Sequence, residues 1–231
     1  MSSKRKSSLI GRVYKSKYGE EAEIIEILPN RTVLVRFLET GQEEIKWIAN
    51  LRKSTFSSKA YKEEAAKRYS LRATHSLLLY RVVKGKNYID SSIQSGWEDF
   101  NSFYSWAKLQ KGHDKDSWQL DKDILQKGNK NYSEDLCCFV PLEINVAFTK
   151  SNKKRGQYPI GVSKRGDKYV AQVGGTKNKV YLGSYGSPEE AFVVYKKAKE
   201  DNLKSLAEKY KIDLDPRVYN AIVSYEVEIT D

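Results

Sequence analysis

The sequence is poor in cysteine, has no long apolar run and is short of acidic residues. Each shortage excludes something. The two cysteines, Cys137 and Cys138, are adjacent. Neighbouring side chains on a strand point to opposite faces, so a structural disulfide or a zinc site is not expected from this pair. That cysteine usage fits a reducing compartment, the cytoplasm. No apolar stretch approaches the roughly 18 residues that span a bilayer, and no apolar signal core follows the basic start Met1-Ser2-Ser3-Lys4-Arg5-Lys6. A membrane partner is not expected, since no basic amphipathic helix with an anchoring apolar face stands out. Lys and Arg total 41 against 30 Asp and Glu, a net charge of +11, which favours a polyanionic partner. With 16 Tyr and 4 Trp the chain has the material for real cores and is not a disordered basic tail.

Three textures follow one another along the 231 residues, giving an expected α+β, multidomain fold. Residues 1–55 carry short β-branched runs, Leu9–Tyr14, Ala22–Leu28, Thr32–Leu38 and Glu44–Ile48, broken at Pro29-Asn30 and Thr40-Gly41. They read as a small curled β-barrel serving as a scaffold or as the docking module for a protein partner. Residues 60–149 mix helix and strand. Trp97, Phe100, Phe103 and Tyr104 share one helical face, a core stripe, with the helix expected to start at Ser95-Gly96. A basic linker, 150–156, leads to 157–231. There, three short strands precede a helix with a clean start: Ser187 as N-cap, Pro188 at the first position, Glu190 as capping-box partner. A last helix starts at Asp215-Pro216, with Val218, Ile222 and Tyr225 facing inward.

Charge is concentrated in the C-terminal strands. Between Lys150 and Tyr181 nine basic residues stand against Asp167 alone. Alternation places Lys168, Val170 and Gln172 on one face of the second strand and Tyr169, Ala171 and Val173 on the other. With the helix on one face, the other is free to enter the major groove of duplex DNA, where Arg, Lys and Gln reach base edges and phosphates. The expected contacts are Lys153, Lys154, Arg155, Lys164, Arg165, Lys168, Gln172, Lys177 and Lys179.

Ile160-Gly161-Val162, Lys168–Val173, Val180–Tyr185, Pro188-Glu189-Glu190-Ala191 and Tyr195 together resemble the Apetala-type (AP-two/ERF) DNA-binding domain. The resemblance implies a three-stranded sheet on one helix that binds DNA through the sheet. Ile160, Ser163 and Tyr169 depart from the family pattern, so no target base sequence is implied. A second resemblance covers Leu120–Leu125, Lys127–Lys130, Tyr132–Leu136, Phe139–Pro141 and Glu143–Asn145. These look like the ββα-metal motif of HNH endonucleases, in the form found in phage proteins related to homing endonucleases, and so imply a bacterial host cytoplasm. The family's chemistry needs one Mg2+ or Mn2+, a general base and a residue that orients the base. By match, Asp121 and Asn145 are metal ligands and Asn129 stiffens the loop and orients the base. Lys122 stands where the family has its catalytic histidine, and an ordinary lysine is protonated at neutral pH. His113 substitutes only if its loop folds back; otherwise it is a lone histidine in a polar loop, and His75 is structural. Two functions stay open: a metal-dependent endonuclease that cleaves or nicks duplex DNA at a specific site, and a DNA-binding regulator or scaffold derived from one.

Overall fold

The computed structural model describes residues 9–84, 90–149, 157–174 and 179–231. The linker 150–156, with the expected contacts Lys153, Lys154 and Arg155, lies outside the described residues, as does Lys177. The fold is α+β and divides into two compact units, one ending at Ser70 and one running Leu71–Asp231.

The first unit is an antiparallel meander: β1 (Val13–Lys15), β2 (Glu21–Ile27), β3 (Thr32–Phe37) and β4 (Glu43–Trp47), paired in that order. Asn30 and Arg31 take left-handed φ values of 58° and 61° to turn β2 into β3. Period-2 alternation buries Ala22, Ile24, Val33, Val35 and Phe37 on one face. Leu51 of the short helix α1 (Ile48–Arg52) and Phe56 complete that core. The expected closed barrel is not formed. β1 has three residues and pairs with β2 alone, β4 pairs with β3 alone, and α1 follows β4 directly, so the sheet stays open. Helix α2 (Lys59–Lys84) begins in this unit and ends in the second. Glu20 holds its start, accepting from the Ser58 N–H at 3.0 Å and hydroxyl at 2.5 Å.

In the second unit, α2 buries Leu71, His75 and Leu78. His75 is structural: its Nε2–H donates to the Trp97 carbonyl at 2.7 Å. β5 (Ser92–Ile93) pairs in parallel with β7 (Asn131–Tyr132). Helix α3 (Phe100–Ala107) starts four residues later than its expected Ser95-Gly96 entry. Gly96 sits at φ 94° in a turn, and the capping oxygen is that of Asp99, 2.9 Å from the Ser102 N–H. β6 (Trp118–Asp121) and β8 (Cys138–Pro141) form an antiparallel ribbon, followed at once by α4 (Leu142–Phe148). This ribbon divides two cores. Leu120, Phe139 and Cys137 pack with Trp97, Phe103 and Trp106; Cys138 and Val140 pack with Ile144 and with Leu203, Leu206, Leu214, Val218 and Ile222. The adjacent cysteines thus serve opposite cores. Both are free thiols, and burial pushes Cys137 up to about 12 and Cys138 well above the ordinary thiol range.

The third sheet holds β9 (Val162–Arg165), β10 (Lys168–Val173) and β11 (Val180–Tyr185), with β10 in the centre. Helix α5 (Pro188–Tyr210) packs on it and opens with the expected capping box. It continues to Tyr210, because Leu203, Leu206 and Ala207 carry its apolar face onto the ribbon's second core. Helix α6 (Pro216–Val223), capped by Asp215, closes that core through Val218 and Ile222. No described helix is long and apolar enough to cross a membrane.

Candidate nucleic-acid interface

Pairing register settles which residues of the third sheet share a face. Val162, Ala171 and Gly183 form one row, and Val162 and Ala171 are buried against Ala191, Phe192 and Tyr195. Lys164, Tyr169 and Tyr185 form the next row of that same helix-side face. The rows between face away from α5: Arg165 with Lys168, Ser163 with Val170 and Ser184, and Gln172 with Tyr181. The β10–β11 register slips by one residue at Ala171/Gln172, leaving Leu182 unpaired and drawn into the helix-side core. Tyr181 and Ser184 therefore meet on the outer face, their hydroxyls 2.9 Å apart.

The outer face carries two cations, an amide, a phenol and two hydroxyls around Val170. Arg165 and Lys168 are exposed at its hairpin end, and Tyr181 is 59% exposed. Lys179 is exposed just before β11. Among the described residues none of Lys164, Arg165, Lys168 and Lys179 has an ion-pair partner. Lys164 separates from its neighbour Arg165: its ammonium lies 5.9 Å from the Tyr169 ring on the helix side. Three strands about 4.8 Å apart make a surface that matches a major groove of about 12 Å. α5 packs on it from behind. Gly161, at φ 76°, brings the chain so close to Tyr195 that an added Cβ would lie 2.0 Å from the ring.

The ribbon and α4 give the strand–strand–helix order, and the loop between the strands is built by Asn129. Its amide donates to the carbonyls of Lys122 and Asn131 at 2.7 and 2.8 Å, and its Oδ1 accepts the Asn131 N–H at 2.9 Å. Lys122 is 8% exposed and donates to the Asp123 carboxylate at 2.5 Å and the Asn129 carbonyl at 2.7 Å. The Lys122 side chain is thus engaged by the Asp123 carboxylate and the Asn129 carbonyl and serves the loop. Asp121 Oδ1 accepts the N–H groups of Asp123 and Ile124 at 2.7 and 2.8 Å and so serves the turn. Burial pushes its carboxyl above the ordinary aspartate range, more than these two N–H groups pull it down.

Asn145 donates to Gln119 Oε1 at 2.6 Å. Gln119 and Asp121 stand on the face of the ribbon that bears Val140 and Cys138. That is the face against which α4, α5 and α6 pack. Lys127 extends the cover, pairing with Glu228 at 3.0 Å and Asp231 at 2.9 Å in the C-terminal segment. His113 is not brought to this site. Its Nδ1–H donates to the Gln110 carbonyl at 2.8 Å, in an open cleft of about 340 Å³ lined by Lys108–Lys115, Ile212 and Asp213. Asp121, Lys122, Asn129 and Asn145 do not line that cleft. Among the described residues no group of three His, Cys, Asp or Glu is placed to hold a metal ion. Of the donors expected for Mg2+ or Mn2+, Asp121 commits Oδ1 to the turn and Asn145 commits its amide nitrogen to Gln119.

Two features of this site carry no sequence signal of their own: the separation of Lys164 from Arg165, which needs the pairing register, and the cover over Asp121, which needs the packing of α5 and α6. Compared with protein-family models, with curated proteins and with solved structures, the chain matches none.

Proposed function

We propose that the chain is a double-stranded DNA-binding protein that reads the duplex with the outer face of β9–β11, and that its strand–strand–helix layer is a scaffold rather than a cleavage site. The observation that carries this is the set of Arg165, Lys168, Gln172 and Tyr181, in two rows on the face turned away from α5, on either side of a buried Val170. Arg165 and Lys168 at the hairpin end meet phosphates, which set position and salt dependence but no sequence. Gln172, next to last in the middle strand, has the donor and acceptor needed for the N6 and N7 edge of an adenine. Tyr181 adds a hydroxyl in the same row and Ser184 one in the adjoining row. Lys164 contacts the backbone only at the rim.

Cleavage of a phosphodiester at the ribbon needs a base and a cation-binding carboxylate that DNA can reach. Lys122 is tied to Asp123 and to the Asn129 carbonyl, and the face that bears Asp121 is packed against α4, α5 and α6. The DNA-binding regulator therefore fits these residues better than the endonuclease.

Duplex binding by the full chain, titrated against salt, tests the reading. Affinity falls steeply with salt, and Arg165→Ala with Lys168→Ala lowers the slope of log K against log salt by about 2. Salt-independent binding, or no effect of the double variant, overturns it. Nicking of supercoiled plasmid by the unmodified chain in Mg2+ or Mn2+, lost in Asp121→Ala, restores the endonuclease.

A further inference from the structure

The outer face of the first unit's sheet has a character unlike that of the third sheet. Its rows, given by the register, are Val13, Glu23, Arg36 and Glu43; then Glu26, Leu34 and Ile45; then Thr32 and Trp47. Ile45 is 62% exposed and Trp47 55% exposed, in adjacent rows. Arg36 is consumed by Glu43, its guanidinium donating at 2.7 and 3.0 Å. Glu23 and Glu26 have no cationic partner among the described residues and are not called on by any turn or cap. A chain of net charge +11 thus presents here an apolar surface beside two carboxylates that no described cation pairs with.

The geometry points to a docking surface for an extended, basic segment of a partner protein. Its recognition element is an aliphatic side chain followed two residues later by lysine or arginine. The aliphatic group covers Leu34, Ile45 and Trp47; the cation, one strand-face repeat of about 7 Å further on, reaches Glu23 and Glu26. Charge complementarity chooses this occupant. A nucleic acid would bring phosphates onto Glu23 and Glu26. A second copy docked face to face would set the same carboxylates against each other. Four apolar side chains also fall far short of the roughly 20–30 residues a side of a stable dimer. Trp47 has the large, exposed, rigid ring around which such small interfaces concentrate their affinity. The proposal concerns another unit and another chemistry than the DNA-reading face, so either can fail without the other.

The test uses the full chain and two synthetic twelve-residue peptides, three repeats of Leu-Ser-Lys-Ser and three of Leu-Ser-Glu-Ser. Binding is followed by the indole N–H signal of Trp47 in a nitrogen–proton correlation spectrum. The lysine peptide shifts that signal and binds at least tenfold more tightly than the glutamate peptide. Trp47→Ala weakens it at least tenfold, and Glu23→Lys with Glu26→Lys reverses the preference between the peptides while leaving the spectrum folded. No shift with the lysine peptide, equal binding of both peptides, or binding indifferent to Trp47→Ala overturns the proposal. So does a Trp47 shift on adding duplex DNA alone, or a dimer at micromolar concentration that Trp47→Ala abolishes.

Discussion

Lys122 and Asn129 clasp each other reciprocally across their loop: the lysine ammonium donates to the Asn129 carbonyl, and the Asn129 amide donates to the Lys122 carbonyl, each at 2.7 Å. A residue pair that closes a loop in both directions fixes it without a ligand. Asn129 also satisfies the Asn131 backbone twice. Asn129→Ala leaves two carbonyls and one N–H without their partner, and such losses cost about 1–3 kcal/mol each where water cannot replace them. The expected result is a loss of about 2–3 kcal/mol for the second unit in urea, with the first unit's transition unmoved. A fall below about 0.5 kcal/mol means that the clasp is not what holds the loop.

Lys164 and Arg165 are neighbours in sequence but stand on opposite faces. Lys164→Ala therefore weakens duplex binding less than twofold at moderate salt. Arg165→Ala weakens it by about 1 kcal/mol, a phosphate contact of ordinary size. Gln172→Ala leaves salt dependence alone and narrows the gap between preferred and random duplexes. Competition titrations with both duplexes separate the three. Equal losses for Lys164 and Arg165 would place the bound DNA across the strand edge and not on the outer face.

What was legible in the sequence is what local chemistry decides. Ser187, Pro188 and Glu190 state a helix start, and the structure has it. Lys168, Val170 and Gln172 share the outer face because alternation along one strand needs no knowledge of its neighbours. Asp99 displaced Ser95-Gly96 as the cap because Gly96 was taken by a turn, a competition that composition alone does not rank. The barrel failed to close for a non-local reason: closure needs β1 to pair with β4, and neither short run says whether it will. The burial of Asp121's face is the most distant case, since Leu203 and Val218, some 80 or more residues away in sequence, supply the cover.

The two thiols provide a check on the ribbon as a divider. Both are buried, with their ionisation pushed up by desolvation, Cys137 to about 12. The thiolate is the reactive form. At pH 8 neither Cys137 nor Cys138 reacts with a disulfide reagent in the native chain, and both react in denaturant. Rapid labelling of one thiol alone in native buffer would show that its core is open on that side.

Glu200 ties the C-terminal segment to α5. It accepts the Lys196 ammonium at 2.6 Å and the Val227 N–H at 2.9 Å. Burial alone would raise its pKa, but these two donors hold it below the ordinary glutamate value of 4.5. Its contribution is therefore complete above pH 4.5 and lost as pH falls through the lower, folded value. Glu200→Gln lowers the stability of the second unit by about 2 kcal/mol at neutral pH, a charged hydrogen-bond set of normal strength. The difference between the two proteins shrinks below pH 4.5. Asp121 runs the other way: its raised value makes its ionised form a cost at neutral pH, so it softens the acid loss and does not cause it. Thermal melts from pH 7 to pH 3 record both slopes, and a Glu200 difference that grows on acidification contradicts the assignment.

The outer face of the third sheet depends on how closely α5 approaches from behind, and Gly161 sets that distance. Its φ of 76° lies in the region that side chains avoid, and an added Cβ would stand 2.0 Å from Tyr195 Cδ2. Gly161→Ala has two costs, backbone strain of about 1 kcal/mol and a collision that Tyr195 can relieve only by leaving the core with Ala191 and Phe192. The expected loss is at least about 3 kcal/mol, because an overpacked core adds about 1–3 kcal/mol to the strain. Adding Tyr195→Ala removes the collision but leaves the strain and opens a cavity, so the double variant is less destabilised than the sum of the two single ones. Duplex binding measured below each variant's melting temperature follows the same order. If Gly161→Ala keeps full stability, α5 does not press on the sheet at this point, and the position of the outer face must be set by the strands alone.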